Sequence, residues 1–229
     1  MTLGIITIGD ELLIGQVVNR NAAWIAEKVT INGARVVAHE VVADDEQAIV
    51  NAIDAMRERA DMLILTGGLG PTHDDITTVV LERYFRDISP ERLHNDVGTA
   101  PGLLYKDKSL TLIALPGVPA EMQYIVIHGV TKLIQERIDS EGAPTWGYKT
   151  LQTTGNTESR LAALIGDVNA LPHGCMLAFL PNYHGVRLRV GVCYADAVER
   201  TRALEEVHAV LKERVGRWVF GDGDDTIAY

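Results

Sequence analysis

The residues with the most chemical content lie in one stretch, Thr66-Gly67-Gly68-Leu69-Gly70-Pro71-Thr72-His73-Asp74-Asp75-Ile76-Thr77. Gly67, Gly68 and Gly70 let the backbone come close to a ligand and turn N–H groups toward an anion. The helix expected from about residue 76 adds its positive end. Asp74 and Asp75 stand at that same helix start. One carboxylate there is accounted for as an N-cap or as a partner for the helix dipole. A second one beside bound phosphate calls for a bridging divalent cation, since two anions alone repel. No Lys-Ser/Thr follows the glycines, so this is not a Walker loop.

Three more loops share this character. Gly9-Asp10-Glu11 follows an apolar run over 3–8, which reads as a buried strand. Asp44-Asp45 follows a β-branched run over 35–42, and one of the two is expected to cap the next helix. Pro116-Gly117-Val118-Pro119 follows a strand over 110–115 and fixes a rigid turn, with Glu121 in the first helical turn beyond it. Gly98-Thr99-Ala100-Pro101-Gly102 is a loop of small residues that permits close packing on a flat ligand or simply makes turns.

The elements that must position these loops alternate. Strands are expected over 3–8, 35–42, 62–65 and 110–115, and helices over 19–29, from Asp44 or Asp45 onward, 76–85 and 120–137. That order argues for a mostly parallel α/β sheet with helices on both faces. Ligands bind such sheets at the carboxyl ends of the strands. If the strands are parallel, all four loops gather at that edge. Glu141-Gly142-Ala143-Pro144 reads as a linker, which sets the expected domains at 1–143 and 144–229. Beyond it come a strand over 148–153, a helix over 158–165, a hairpin of 175–180 with 186–194, a helix over 197–215 and a strand over 217–220. The order βαββαβ predicts a small α+β domain.

Composition narrows the classes. The 229 residues are 47% hydrophobic and 23% charged, ordinary for a globular chain. The net charge is -10, which opposes binding to phosphate backbones or anionic lipid. No apolar run reaches the ~20 residues of a membrane span, and the start lacks a basic signal-peptide region. Neither nucleic acid nor membrane is expected as a partner. From Thr145 onward there are 9 basic and 10 acidic residues, so the first domain holds nearly all the net charge. Cys175 and Cys193 are expected as buried thiols, and the protein as cytoplasmic. No Ser/His/Asp or Cys/His arrangement supports nucleophilic catalysis. A homodimer is expected, since the second domain has little core of its own.

Gly9-Asp10-Glu11-Leu12-Leu13, the run from Asn19 to Asn21, the glycine-rich stretch from Thr66 to Thr77, the run from Asn95 to Gly102, and Leu115-Pro116-Gly117-Val118-Pro119-Ala120-Glu121-Met122 together resemble the competence/damage-inducible protein CinA family. The match is ordered and covers most of the chain. The first domain also resembles the wider molybdopterin-binding fold of the MoaB, Mog and MoeA proteins, which share the GG-x-G…D-x-T loop and the Leu-Pro-Gly turn. Two departures stand out. The stretch over 84–94 is shorter than the family's. The chain stops about where the family's deamidase domain would begin, so that activity is not carried over.

The resemblance implies a three-layer α/β/α first domain and a small KH-like or ferredoxin-like second domain. The second domain has no GxxG clamp and no excess positive charge, so RNA is not an expected ligand. The resemblance further implies metal-dependent hydrolysis of ADP-ribose to AMP and ribose 5-phosphate. On that reading Gly67, Gly68 and Gly70 cradle phosphate, and Asp10, Asp44 and Asp75 hold one or two divalent ions. Mg²⁺, Mn²⁺ or Co²⁺ suits such oxygen ligands, with K⁺ carried as a further candidate. Asp44, Asp75 and Glu121 are the catalytic candidates, Glu121 by positioning water or a ribose hydroxyl. Gly9, Glu11, Asn19, Asn21, Thr72, Asp74, Thr77, Gly98, Thr99, Pro116 and Gly117 complete the expected ligand contacts. Two alternatives stay open: molybdopterin binding or adenylyl transfer, and a non-catalytic nucleotide-binding scaffold.

Overall fold

The computed structural model describes residues 1–70, 76–142 and 144–223, and the chain divides into two compact units, Met1–Glu141 and Gly142–Tyr229. In the first unit β1 (Thr2–Ile8) leads into a one-turn helix α1 (Asp10–Leu13), then α2 (Arg20–Ile31), β2 (Arg35–Val42), α3 (Glu46–Arg57), β3 (Met62–Thr66) and α4 (Thr77–Tyr84). There follow β4 (Glu91–Leu93), β5 (Gly102–Lys106), β6 (Thr111–Leu115), α5 (Pro119–Ile125), a π-helical turn Val126–Val130, and α6 (Thr131–Glu141).

These strands form one sheet in the order β2-β1-β3-β6-β5-β4. β2, β1, β3 and β6 are parallel, while β5 and β4 run antiparallel to their neighbours. The pleat sends alternate residues to two separate cores. Leu3 and Ile5 of β1 join Met62, Ile64, Ile113 and Leu115 against Ile25 and Val29 of α2 and Met122 and Ile125 of α5. Ile6 and Ile8 join Leu63, Leu65 and Leu112 against Ile49 and Ile53 of α3 and Leu81 of α4. The result is the three-layer α/β/α arrangement. Such double-sided burial is why the strands read as continuous apolar runs.

The antiparallel edge was not expected. β5 offers only three apolar residues before Lys106-Asp107-Lys108, and β4 carries Glu91 and Arg92 exposed, so neither has a strand pattern of its own. The helix expected over 120–137 is interrupted by the π turn, and the loop expected at Gly9-Asp10-Glu11 is the start of α1, with Gly9 at its N-cap.

The second unit contains β7 (Thr145–Thr153), α7 (Glu158–Ile165), β8 (Met176–Asn182), β9 (Gly185–Tyr194), α8 (Ala197–Val215) and β10 (Val219–Asp222). Its sheet is antiparallel throughout in the order β10-β7-β9-β8. Leu188, Val190 and Val192 of β9 pack with Leu161 of α7 and Val207 and Leu211 of α8. This is a small α+β domain. Cys175 is buried as expected, but Cys193 is exposed, because it lies on the side of β9 opposite that core. No helix among the described residues is long and apolar enough to cross a membrane.

Candidate functional site

The chain leaves β1 toward β2 on one side and later places β3 on the other side of β1. Ligand crevices open at such a switch point, outside the carboxyl ends of the strands. A cavity of about 620 Å³ lies there, lined by residues that follow all four parallel strands. Gly9 and Glu11 come from the end of β1, Asp44 from β2, Gly67, Gly68 and Gly70 from β3, and Pro116 and Gly117 from β6.

The glycine loop is tied down from behind. Gly67 has φ 112°, and a Cβ there would stand 2.3 Å from the Ile8 carbonyl oxygen. Gly68 has φ 66°, and its Cβ would meet the Thr77 hydroxyl at 2.2 Å. Side chains are therefore excluded at both positions, and the backbone itself forms the wall. Thr77 is fully buried. Its hydroxyl donates to the Gly67 carbonyl at 3.0 Å and its amide to the Gly68 carbonyl at 3.1 Å. It latches the loop and is not among the lining residues. Thr72, Asp74 and Asp75 lie outside the described residues.

Asp44 and Asp45 divide the two duties expected of them. Asp45 caps α3, accepting the Ala48 amide at 2.9 Å. Asp44 lines the cavity, and its Oδ2 accepts the Asp10 amide at 3.1 Å. Asp10 thus reaches the site through its backbone. Asp10, which is exposed, is not among the lining residues, whereas Glu11 is. Among the described residues, no three His, Cys, Asp or Glu side chains cluster so as to hold a metal.

Asn19 and Asn21 serve the scaffold as well as the wall. Asn19 Oδ1 caps α2 by accepting the Ala22 amide, and its Nδ2 donates to the Thr7 hydroxyl at 3.0 Å. Asn21 Nδ2 donates to the Gly117 carbonyl at 2.7 Å, joining α2 to the turn after β6. Between them Arg20 also lines the cavity. Sequence reasoning passed over it, although a base in so acidic a half was a visible signal.

Glu121 is fixed from the far side. Asn95 Nδ2 donates to Glu121 Oε2 at 2.7 Å and to the Ala100 carbonyl at 2.8 Å. A Cβ on Gly98 would lie 2.1 Å from the Glu121 carboxyl carbon, so Gly98 is the surface on which that carboxylate rests. Gly98 itself does not line the cavity, while Thr99 and Ala100 do. Beside Asn95, the Tyr124 hydroxyl donates to Asp96, which holds the Asp96 carboxyl below its ordinary range and pushes the tyrosine up.

A family model described as a probable molybdopterin binding domain matches residues 4–136, and one described as the damage-inducible protein CinA KH domain matches 148–221. A CinA-like protein of Salinibacter ruber is 36% identical over 265 residues, covering 99% of this chain and 63% of the relative. That span exceeds the chain's 229 residues, so the relative carries segments that the chain lacks. A protein of Pyrobaculum aerophilum is 38% identical over 94% of this chain and 92% of the relative. The chain spans about 55–63% of the length of the first four curated relatives it matches. Among solved structures, the protein CinA of Thermoplasma acidophilum aligns with TM-score 0.55 and 32% identity, over 58% of this chain and 97% of that one. A molybdopterin biosynthesis protein of Mycobacterium abscessus shares the fold, with TM-score 0.50 at 16% identity over 61% of this chain and 98% of that one. A molybdopterin-binding-type unit followed by a CinA KH unit, matched along nearly the whole chain, makes this protein a member of the CinA family.

Proposed function

We propose that the first unit hydrolyses a nucleotide diphosphate with a divalent ion, ADP-ribose being the substrate that the family suggests. The observation that carries the reading is that one cavity gathers a side-chain-free glycine wall and the acidic residues Glu11, Asp44 and Glu121. Its volume suits one nucleotide-sized ligand, since such pockets span roughly 300–1,000 Å³.

The donor set fits a hard cation. The lining carboxylates supply oxygen, and no His or Cys is among the described lining residues. With no protein cluster of three among the described residues, Glu11 and Asp44 would share the ion with phosphate oxygens and water, as Mg²⁺ favours. When bound, the ion supplies charge neutralisation at the pyrophosphate and a more acidic water. Gly68 and Gly70 offer their amides to the phosphates, while the Gly67 amide is taken by the Leu115 carbonyl at 3.2 Å, so Gly67 contributes a close approach and not a donor. Asp44 is oriented by the Asp10 amide. Glu121, steadied by Asn95, accepts a hydrogen bond from a water or ribose hydroxyl.

The test is to incubate the protein with ADP-ribose and Mg²⁺, Mn²⁺ or Co²⁺, with and without K⁺, and to measure AMP. The expected result is AMP that vanishes with chelator and falls at least about a hundredfold in Asp44→Asn and Asp75→Asn. No AMP under any metal overturns the reading. The second reading, molybdopterin binding or adenylyl transfer, is favoured by the description of the family model over 4–136. Pterin-dependent consumption of ATP without ADP-ribose cleavage would select it.

A further inference from the structure

The charge on the cavity wall is one-sided. Glu11, Asp44 and Glu121 line it, and among the described lining residues Arg20 is the one cation. A polyanion approaching three carboxylates is repelled, so a fixed positive group has a large effect on whether it stays.

Arg20 is the first residue of α2 and is exposed. Its guanidinium has no hydrogen-bond or ion-pair partner among the described residues. The helix does not call for it, since the first helical turn favours acidic side chains and disfavours basic ones. Its neighbours contrast with it. Both polar ends of Asn19 are engaged, with Thr7 and Ala22, and the Asn21 amide donates to Gly117. In the run Asn19-Arg20-Asn21 the arginine therefore brings a full set of donors to the cavity.

We propose that Arg20 is the anion anchor of this cavity. Its planar fork grips a phosphoryl group through two parallel N–H···O bonds and sets the preference for diphosphate-bearing ligands over uncharged counterparts. The proposal rests on reading the cavity as a nucleotide diphosphate site, and it names the residue that selects the diphosphate.

The test uses the full chain and measures binding by calorimetry in EDTA, so that no metal is involved. The probes are inorganic pyrophosphate, ADP-ribose and adenosine. Arg20→Gln is expected to weaken pyrophosphate and ADP-ribose by about tenfold or more and to leave adenosine unchanged. Arg20→Lys, which keeps the charge but loses the fork, is expected to fall between. Circular dichroism checks that α2 is intact. Equal pyrophosphate affinity in wild type and Arg20→Gln overturns the anchor, as does a wild-type chain that binds no pyrophosphate at millimolar concentration. The two readings fail separately. Arg20-dependent pyrophosphate binding without ADP-ribose cleavage sinks the hydrolase and keeps the anchor. Cleavage with Arg20-independent binding does the reverse.

Discussion

At the scale of single residues, the site depends on which side chains are missing as much as on which are present. Gly98 shows this. A methyl group there would lie 2.1 Å from the carboxyl carbon of Glu121 and 2.3 Å from its Oε1. The obstructed atoms are the far end of a flexible side chain, so Gly98→Ala is relieved by moving the carboxylate and not the backbone. That movement pulls Oε2 from Asn95. The expected result is a variant whose urea midpoint is unchanged but whose turnover falls about tenfold or more, since misplaced catalytic groups are costly. A loss of stability with retained turnover would mean that the loop moves instead and that Glu121 is not held for chemistry. None of this was visible in the chain itself. Gly98-Thr99-Ala100-Pro101-Gly102 announces a turn, but the contact joins positions 98 and 121, which only the fold brings together.

At the scale of elements, strand ends and helix starts share the same few residues, and the structure separates their duties. Two adjacent aspartates follow β2, and spacing alone left open which one caps α3. Asp45 accepts the Ala48 amide, while Asp44 faces the cavity. Asp45→Ala should therefore cost about 1 kcal/mol of stability, read from urea unfolding, with ADP-ribose turnover little changed. Asp44→Asn should do the opposite. If both variants lose stability and keep activity, the division fails. The parallel strands and their helices were legible because β1, β3 and β6 are buried on two faces, the edge strand β2 is β-branched, and each helix has an apolar side. The antiparallel edge was not, because Glu91, Arg92 and Lys106 face solvent there and erase the alternation. The short helix α1 was hidden for a similar reason. It buries no residue, so the sequence had no periodicity to display.

At the scale of the whole molecule, acidity bears on stability in both units. In the first unit, burial alone would raise the Asp61 carboxyl, but hydrogen bonds from the Thr2 amide and hydroxyl outweigh it and hold the group below the ordinary carboxylate range. Asp107 follows the same pattern, with the Ser109 and Leu110 amides overcoming its burial. In the second unit Asp222 is lowered chiefly by Lys212, and further by His208. A carboxyl whose folded pKa is depressed contributes its full stability above the unfolded value and loses it as pH falls through the folded one. Stability should thus be flat from pH 7 to about 5 and decline below about 4. The chain's net charge of -10 and pI near 5.1 mean that self-repulsion vanishes on the way, so dilute protein is needed to avoid association. Asp61→Asn isolates one contribution, because Asp61 joins the start of β1 to the start of β3. The variant should be destabilised on the order of 1 kcal/mol at pH 7, with the difference shrinking toward pH 3 as the wild-type carboxyl takes its proton. A difference that stayed constant over that range would show that the hydrogen bonds, and not the charge, hold the latch.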